Sequence, residues 1–163
     1  MKKKKLLAIR SVLIILTVAV CTVIFALSAD NADESNAKSD PISDSVIIKI
    51  LETFSLTEEQ IEFVLEKTVV IIRKTAHFCE YALLGFLLAA VCTSFYKSRP
   101  DTFIISQICG SVYAVSDEIH QHFVPGRSCQ LKDMLIDSCG VMFGIGVLIL
   151  AVFLYKKIRN NNS

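Results

Sequence analysis

The chain has 163 residues, of which 53% are hydrophobic and only 20% charged, a more apolar composition than that of an average soluble domain. Its 17 lysines and arginines nearly balance 16 aspartates and glutamates, so there is no basic excess of the kind that binds nucleic acid. The six cysteines form no C-x-x-C pair, and Cys21, Cys92, Cys109 and Cys139 lie within apolar runs. We expect one membrane domain that binds no nucleic acid, with these four cysteines as small buried hydrophobic residues.

The first apolar segment follows a basic N-terminus. Residues 12–27 carry no charge, and together with residues 6–9 they reach the roughly 20 residues that cross a ~30 Å hydrocarbon layer. Small residues at 26–29 would also suit a signal peptidase, but this uncharged run is longer than the usual 7–15 residues of a signal-peptide core. We predict an uncleaved transmembrane anchor over residues 1–27, with a cleaved signal peptide as the alternative.

The next two segments are first polar and then amphipathic. Residues 28–45 are rich in acidic and amide side chains and have little to bury, which is typical of a disordered, solvated linker. In residues 46–72 apolar positions recur at helical spacings between glutamates, and Thr57 followed by Gln60 is a capping box that would start a helix. Residues 46–72 therefore fit two amphipathic helices, lying on the membrane surface or against the bundle.

Residues 73–157 contain three further candidate spans. Residues 76–96 and 133–155 are apolar over most of their length, whereas the span that begins at Thr102 becomes polar from Ser116 onward. Within the last span, the G-x-x-x-G pattern of Gly140 and Gly144 indicates close packing against a neighbouring helix. The predicted fold class is an all-α membrane protein, a four-span helical bundle with the acidic linker and the amphipathic helices between spans one and two.

The lysine and arginine distribution predicts the orientation of the bundle. With both termini in the cytoplasm, each inner flank is basic: residues 2–10, residues 97–99 and residues 156–159. The loop of residues 28–73, in which ten acidic residues outnumber four basic ones, is then extracytoplasmic. We expect a multi-pass protein of the bacterial cytoplasmic (plasma) membrane with cytoplasmic N- and C-termini.

Spans two, three and four carry their ionisable side chains at the same, outer end. A carboxylate at the centre of a transmembrane helix costs about 2.5–3.5 kcal/mol, so several in one layer should face each other, their cationic partners or water. We therefore predict one polar cavity. Its candidate catalytic residues are His77, Glu80, Asp117 and His120, and its candidate binding residues are Lys74, Tyr81, Glu118, Gln121, Arg127, Asp133 and Asp137.

Simpler roles remain open for the same side chains. Basic residues at membrane ends often only extend to the interface, and the buried carboxylates and histidines could form a network that merely fixes helix packing. Glu118 lies about 100° from Asp117 around the helix, so it is expected to face a different partner.

The three polar segments resemble the VanZ-like family of bacterial membrane proteins. The resemblance rests on Lys74-x-x-His77-Phe78-x-Glu80-Tyr81, then Asp117-Glu118-x-His120-Gln121-x-Phe123-x-Pro125-x-Arg127, then Asp133-x-x-x-Asp137-x-x-Gly140, and it covers about residues 70–155. It implies a small multi-span envelope protein associated with tolerance to the glycopeptide teicoplanin. Residues 28–72 lie outside this resemblance.

Two functions fit the polar cluster. An enzyme at the outer membrane face could act on a lipid-linked envelope component, using histidines for proton transfer and Arg127 or Lys74 to hold a phosphate or carboxylate. A divalent metal, zinc or manganese, is possible in this case, bound by His77, His120 and one or two of Glu80, Asp117 and Glu118. The alternative is a non-enzymatic binder of a lipid headgroup or of a lipoglycopeptide antibiotic.

Overall fold

A computed structural model describes residues 2–29, 57–95, 99–125, 127 and 129–161. Within these ranges the chain forms four helices and no strand: α1 (Lys2–Ser28), α2 (Glu58–Phe95), α3 (Arg99–Gln121) and α4 (Leu131–Asn161). The predicted all-α class is therefore confirmed for the described residues. The greater part of the predicted linker, residues 30–45, and the first predicted amphipathic helix lie outside them.

Three of these helices are long and apolar enough to cross a membrane, namely α1, α2 and α4. Their apolar side chains, among them Val18, Phe25, Leu150 and Phe153, are largely exposed on the outside of the bundle, where lipid would cover them. Helix α3 does not reach the same apolarity because it carries Asp117 and Glu118 as well as several hydroxyl and amide side chains.

Helix α2 begins where the capping box predicted. The backbone N–H of Thr57 donates to Gln60 Oε1 at 3.0 Å, and the backbone N–H of Gln60 donates to Thr57 Oγ1 at 3.4 Å. The helix does not end near residue 72, however, but continues to Phe95. Residues 58–72 of the amphipathic segment and span two are therefore one helix, since no glycine or proline interrupts residues 58–84.

Helices α2 and α4 run in the same direction and pack through glycines. A Cβ atom on Gly140 would lie 2.6 Å from the Phe78 carbonyl oxygen, and one on Gly144 would lie 2.8 Å from Phe86 N. Gly85 of α2 faces the backbone of Val141 in the same way. The packing role predicted for Gly140 and Gly144 is thus confirmed, because the two backbones approach too closely for any side chain.

Helix α1 runs antiparallel to α2 and joins the bundle at both ends. Near its start, Arg10 donates from Nε to the Ser94 carbonyl oxygen at 3.1 Å and lies over the Phe95 ring at 4.1 Å. Near its end, Ile24 is buried in the apolar core, which also contains Leu84 and Ile145. Arg10 therefore satisfies a carbonyl at the C-terminus of α2, where the helix leaves such groups without an internal partner.

The six cysteines are all free thiols and lie in the described part of the chain. Cys92 is buried and Cys21 is half-buried, but Cys109 and Cys139 are exposed on the surface of the bundle. The expectation of burial was wrong for these last two, because an apolar run in a membrane-type helix has a lipid-facing side as well as a core-facing one.

Candidate functional site

Polar side chains from all four helices meet at one end of the bundle. This end contains the last turn of α1, the middle of α2, the last turns of α3, the connection after α3 and the first turns of α4. Because α1 and α3 run opposite to α2 and α4, residues far apart in sequence reach the same level.

Asp117 is the centre of a buried hydrogen-bond network that joins three helices. Its Oδ2 accepts hydrogen bonds from Ser28 Oγ at 2.8 Å, Tyr81 OH at 3.1 Å and Gln121 Nε2 at 3.2 Å. Asp117 is only 2% exposed and Tyr81 is fully buried. Three donors on one buried carboxylate oxygen suit a group that holds α1, α2 and α3 together.

The connection between α3 and α4 is tied to this network and to Glu118. Arg127 donates from Nη1 to Gln121 Oε1 at 3.3 Å and from Nη2 to the Leu27 carbonyl oxygen at 3.5 Å. Glu118 Oε1 accepts the backbone N–H of Gln130 at 2.8 Å. Glu118 thus has a different partner from Asp117, as the 100° offset along α3 leads one to expect.

A cavity of about 260 Å³ lies beside the network, between α2, the end of α3 and the start of α4. Three cationic side chains line it, Arg73, Lys74 and Arg127, together with three carboxylates, Glu118, Asp133 and Asp137. The other polar lining residues are His77, Gln121 and Gln130. Seven of the eleven residues that the sequence proposed for the site therefore face one cavity: Lys74, His77, Glu118, Gln121, Arg127, Asp133 and Asp137.

The polar groups of the cavity differ in how they are satisfied. Lys74 forms an ion pair with Asp133 that bridges α2 and α4. Asp137 is 2% exposed, and its Oδ1 has no hydrogen-bond partner among the described residues. The same holds for Nδ1 of His77, which lies 3.9 Å from Glu80 Oε2, beyond hydrogen-bonding distance. Two residues that line the cavity thus each carry a buried polar atom without a partner within the described structure.

The four candidate catalytic residues have different surroundings. Only His77 lines the cavity, and Asp117 belongs to the buried network with Tyr81. His120 stacks on Phe25 of α1, with ring centroids 4.2 Å apart, on the side of α3 that faces α1. Among the residues that the structure describes, no three His, Cys, Asp or Glu side chains are placed to hold a metal ion.

Three polar contributors were not among the predicted site residues. Arg73 is one of the basic residues at membrane ends for which extension to the interface was left open, and Gln130 carries no pattern that would distinguish it. Ser28 was placed at the start of the linker, yet it is the last residue of α1 and fully buried against Asp117. The only sequence feature that could have indicated the contact of Ser28 with Asp117 is a small hydroxyl residue at the end of an apolar helix.

The helical architecture, the exposed apolar surfaces and the polar cavity at one end define a small membrane protein with a candidate site at that end. A family model described as VanZ/LLP1 matches residues 13–154, and the chain belongs to this family. No curated protein and no solved structure matches the chain. The match begins within α1, so residues 28–72 lie inside the family region and not, as expected, outside it.

Proposed function

We propose that this VanZ-like membrane protein binds a phosphate-bearing headgroup, from a membrane lipid or from a lipid-linked component of the cell envelope. The observation that carries the proposal is the convergence of Arg73, Lys74 and Arg127 on one cavity of about 260 Å³. Guanidinium groups present paired N–H donors that match phosphate oxygens, and they keep their charge at any physiological pH. A cavity at the end of a membrane bundle lies where lipid headgroups lie.

The proposal includes a four-span topology in the bacterial plasma membrane. Helix α3 has 23 residues, and at 1.5 Å per residue it is about 35 Å long, enough to cross a ~30 Å hydrocarbon layer. Two of its polar side chains donate or accept hydrogen bonds inside the bundle: Asp117 Oδ2 in the network, and Gln107, whose Nε2 donates to the Ser138 carbonyl oxygen at 3.1 Å. With the basic flanks in the cytoplasm, the cavity opens toward the outer face.

Binding to purified full-length protein in detergent tests the proposal. Phosphatidylglycerol and phosphatidate would be titrated and the bound lipid counted by native mass spectrometry. Arg127→Gln should weaken binding about tenfold or more, since a hydrogen-bonded charge contact is lost. Lys156→Gln, an exposed residue near the opposite end of α4, is the matched control and should bind as wild type. Equal affinity for wild type and Arg127→Gln would refute a phosphate site at this cavity.

In cells, the family relationship leads us to propose a role in tolerance to teicoplanin and related glycopeptides. A protein that retains an envelope lipid, or the lipid tail of the antibiotic, changes how much antibiotic reaches its target. Arg127→Gln, expressed at wild-type abundance, should then lower tolerance to that of cells lacking the protein. If the tolerance of these cells were unchanged, headgroup binding at this cavity would not be the cause of resistance.

A second candidate function is an enzyme acting on a lipid-linked envelope component. One observation favours it: His77 lines the cavity beside Glu80, and its Nδ1 has no partner among the described residues. A histidine beside a carboxylate can transfer a proton in hydrolysis or group transfer. Glu80→Gln and His77→Ala should then each abolish function, and the double variant should be no worse than either single one.

A further inference from the structure

The cavity is lined by both cationic and carboxylic acid side chains, and this restricts the kind of ligand that fits it. Three cations and three carboxylates line the same space. A ligand that carries only a phosphate would satisfy the cations but would bring its charge close to the carboxylates, where like charges repel. The lining is complementary to a group with both signs of charge.

The carboxylates of the cavity are not equivalent. Asp133 is paired with Lys74, and Glu118 accepts the backbone N–H of Gln130. Asp137 is almost completely buried, and its Oδ1 has no partner among the described residues. A buried carboxylate oxygen without a donor is costly, so a ligand that supplies one gains the corresponding free energy on binding.

His77 offers a second such atom at the same level of the bundle. Helices α2 and α4 are parallel, with Lys74 paired to Asp133 and Phe78 packed on Gly140, so the intervening His77 and Asp137 lie at about the same level of the bundle. Both side chains line the cavity, and His77 Nδ1 also has no partner within the described ranges.

We propose that the cavity recognises a zwitterionic headgroup, whose primary ammonium group donates to Asp137 Oδ1 and His77 Nδ1 while its phosphate contacts the arginines. This rests on the proposed function, since it adds a second charge to the same ligand. A primary ammonium has three N–H donors and a positive charge, so it can donate to both acceptors at once. A hydroxyl group has one donor and no charge, and a trimethylammonium group has no N–H at all.

Two short-chain lipids test this inference without any variant. Soluble phosphatidylethanolamine and phosphatidylcholine of equal chain length share the phosphodiester and the net charge, but only the first has N–H donors. Isothermal titration of the purified full chain should give an affinity about tenfold or more higher for phosphatidylethanolamine. Asp137→Asn should reduce the ratio of the two affinities to about twofold or less. Asp101→Asn, an exposed aspartate in the first turn of α3, is the control and should keep the full ratio.

The outcomes distinguish this inference from the proposed function. Equal affinity of the wild type for both lipids, with Arg127→Gln weaker for each, would overturn the ammonium site and leave the phosphate site intact. Tighter binding of short-chain phosphatidylglycerol than of phosphatidylethanolamine would also overturn it, in favour of an anionic headgroup. No effect of Arg127→Gln on either lipid would refute the proposed function itself.

Discussion

Replacing Gly144 by alanine should destabilise the bundle, because this glycine allows α2 and α4 to touch. The added Cβ would overlap the Ala82 carbonyl oxygen and lie 2.7 Å from the Ala82 carbonyl carbon and 2.8 Å from Phe86 N. These are backbone atoms, so no side chain can rotate away, and α4 must retreat by at least about 1 Å to reach ordinary van der Waals separation. The displacement weakens every contact along the interface, for an expected loss of about 2–4 kcal/mol.

The matched control for this substitution lies two residues further along the same helix. Gly146 is exposed, and a Cβ added there meets nothing within 4 Å, so Gly146→Ala should be neutral or stabilising by up to about 1 kcal/mol. Unfolding of the purified proteins in dodecylmaltoside, titrated with sodium dodecyl sulfate and followed by circular dichroism, would measure both effects. If Gly144→Ala unfolded at the same detergent fraction as Gly146→Ala, close contact between α2 and α4 would be refuted.

Three further predictions concern the network, the orientation and the linker. Tyr81→Phe removes one of the three donors to Asp117 Oδ2 and should lower the stability by about 1–3 kcal/mol in the same titration, whereas Tyr155→Phe, on the exposed surface of α4, should not change it measurably. A variant that retains Cys129 as its only thiol should react with a membrane-impermeant maleimide in intact cells; reaction only after permeabilisation would place the cavity in the cytoplasm. Deletion of residues 30–45, which leaves Ser28 in place, should preserve membrane abundance and the native melting temperature, and loss of the protein would show that this segment contributes to the fold.

The helices and their closest contact could be predicted from local sequence properties. Long uncharged runs indicate α1, α2 and α4 because crossing a membrane requires about 20 apolar residues whatever the partner. Thr57 and Gln60 could be recognised because a capping box involves only residues three apart. Gly140 and Gly144 could be recognised because two glycines four residues apart lie on the same side of a helix, a pattern typical of close helix packing.

The division of the polar residues into a network and a cavity could not be predicted in the same way. Along α3, His120 lies about 60° to one side of Asp117 and Gln121 about 40° to the other, so all three share a face by periodicity alone. The helices packed around α3 determine which of these residues lines the cavity. Helix α1 places Phe25 against His120, and the cavity lies on the side of Gln121. Ser28 was missed because its partner is 89 residues away, and no local pattern reports such a pairing.

The Asp117 network has a consequence for the order in which the protein is made. In the four-span arrangement proposed above, α3 is the helix that the translocon would release into lipid least readily, because of its buried acids. The donors that α1 and α2 supply to Asp117, Ser28 and Tyr81, are synthesised before it and are already in the membrane when α3 emerges from the ribosome. Because the chain is made from the N-terminus, Ser28 and Tyr81 are thus in the membrane before Asp117, whose carboxylate is unfavourable there without hydrogen-bond donors. A chain in which α1 is moved to the C-terminus would have to hold Asp117 without Ser28 during insertion, and α3 would be the segment exposed to quality-control proteases.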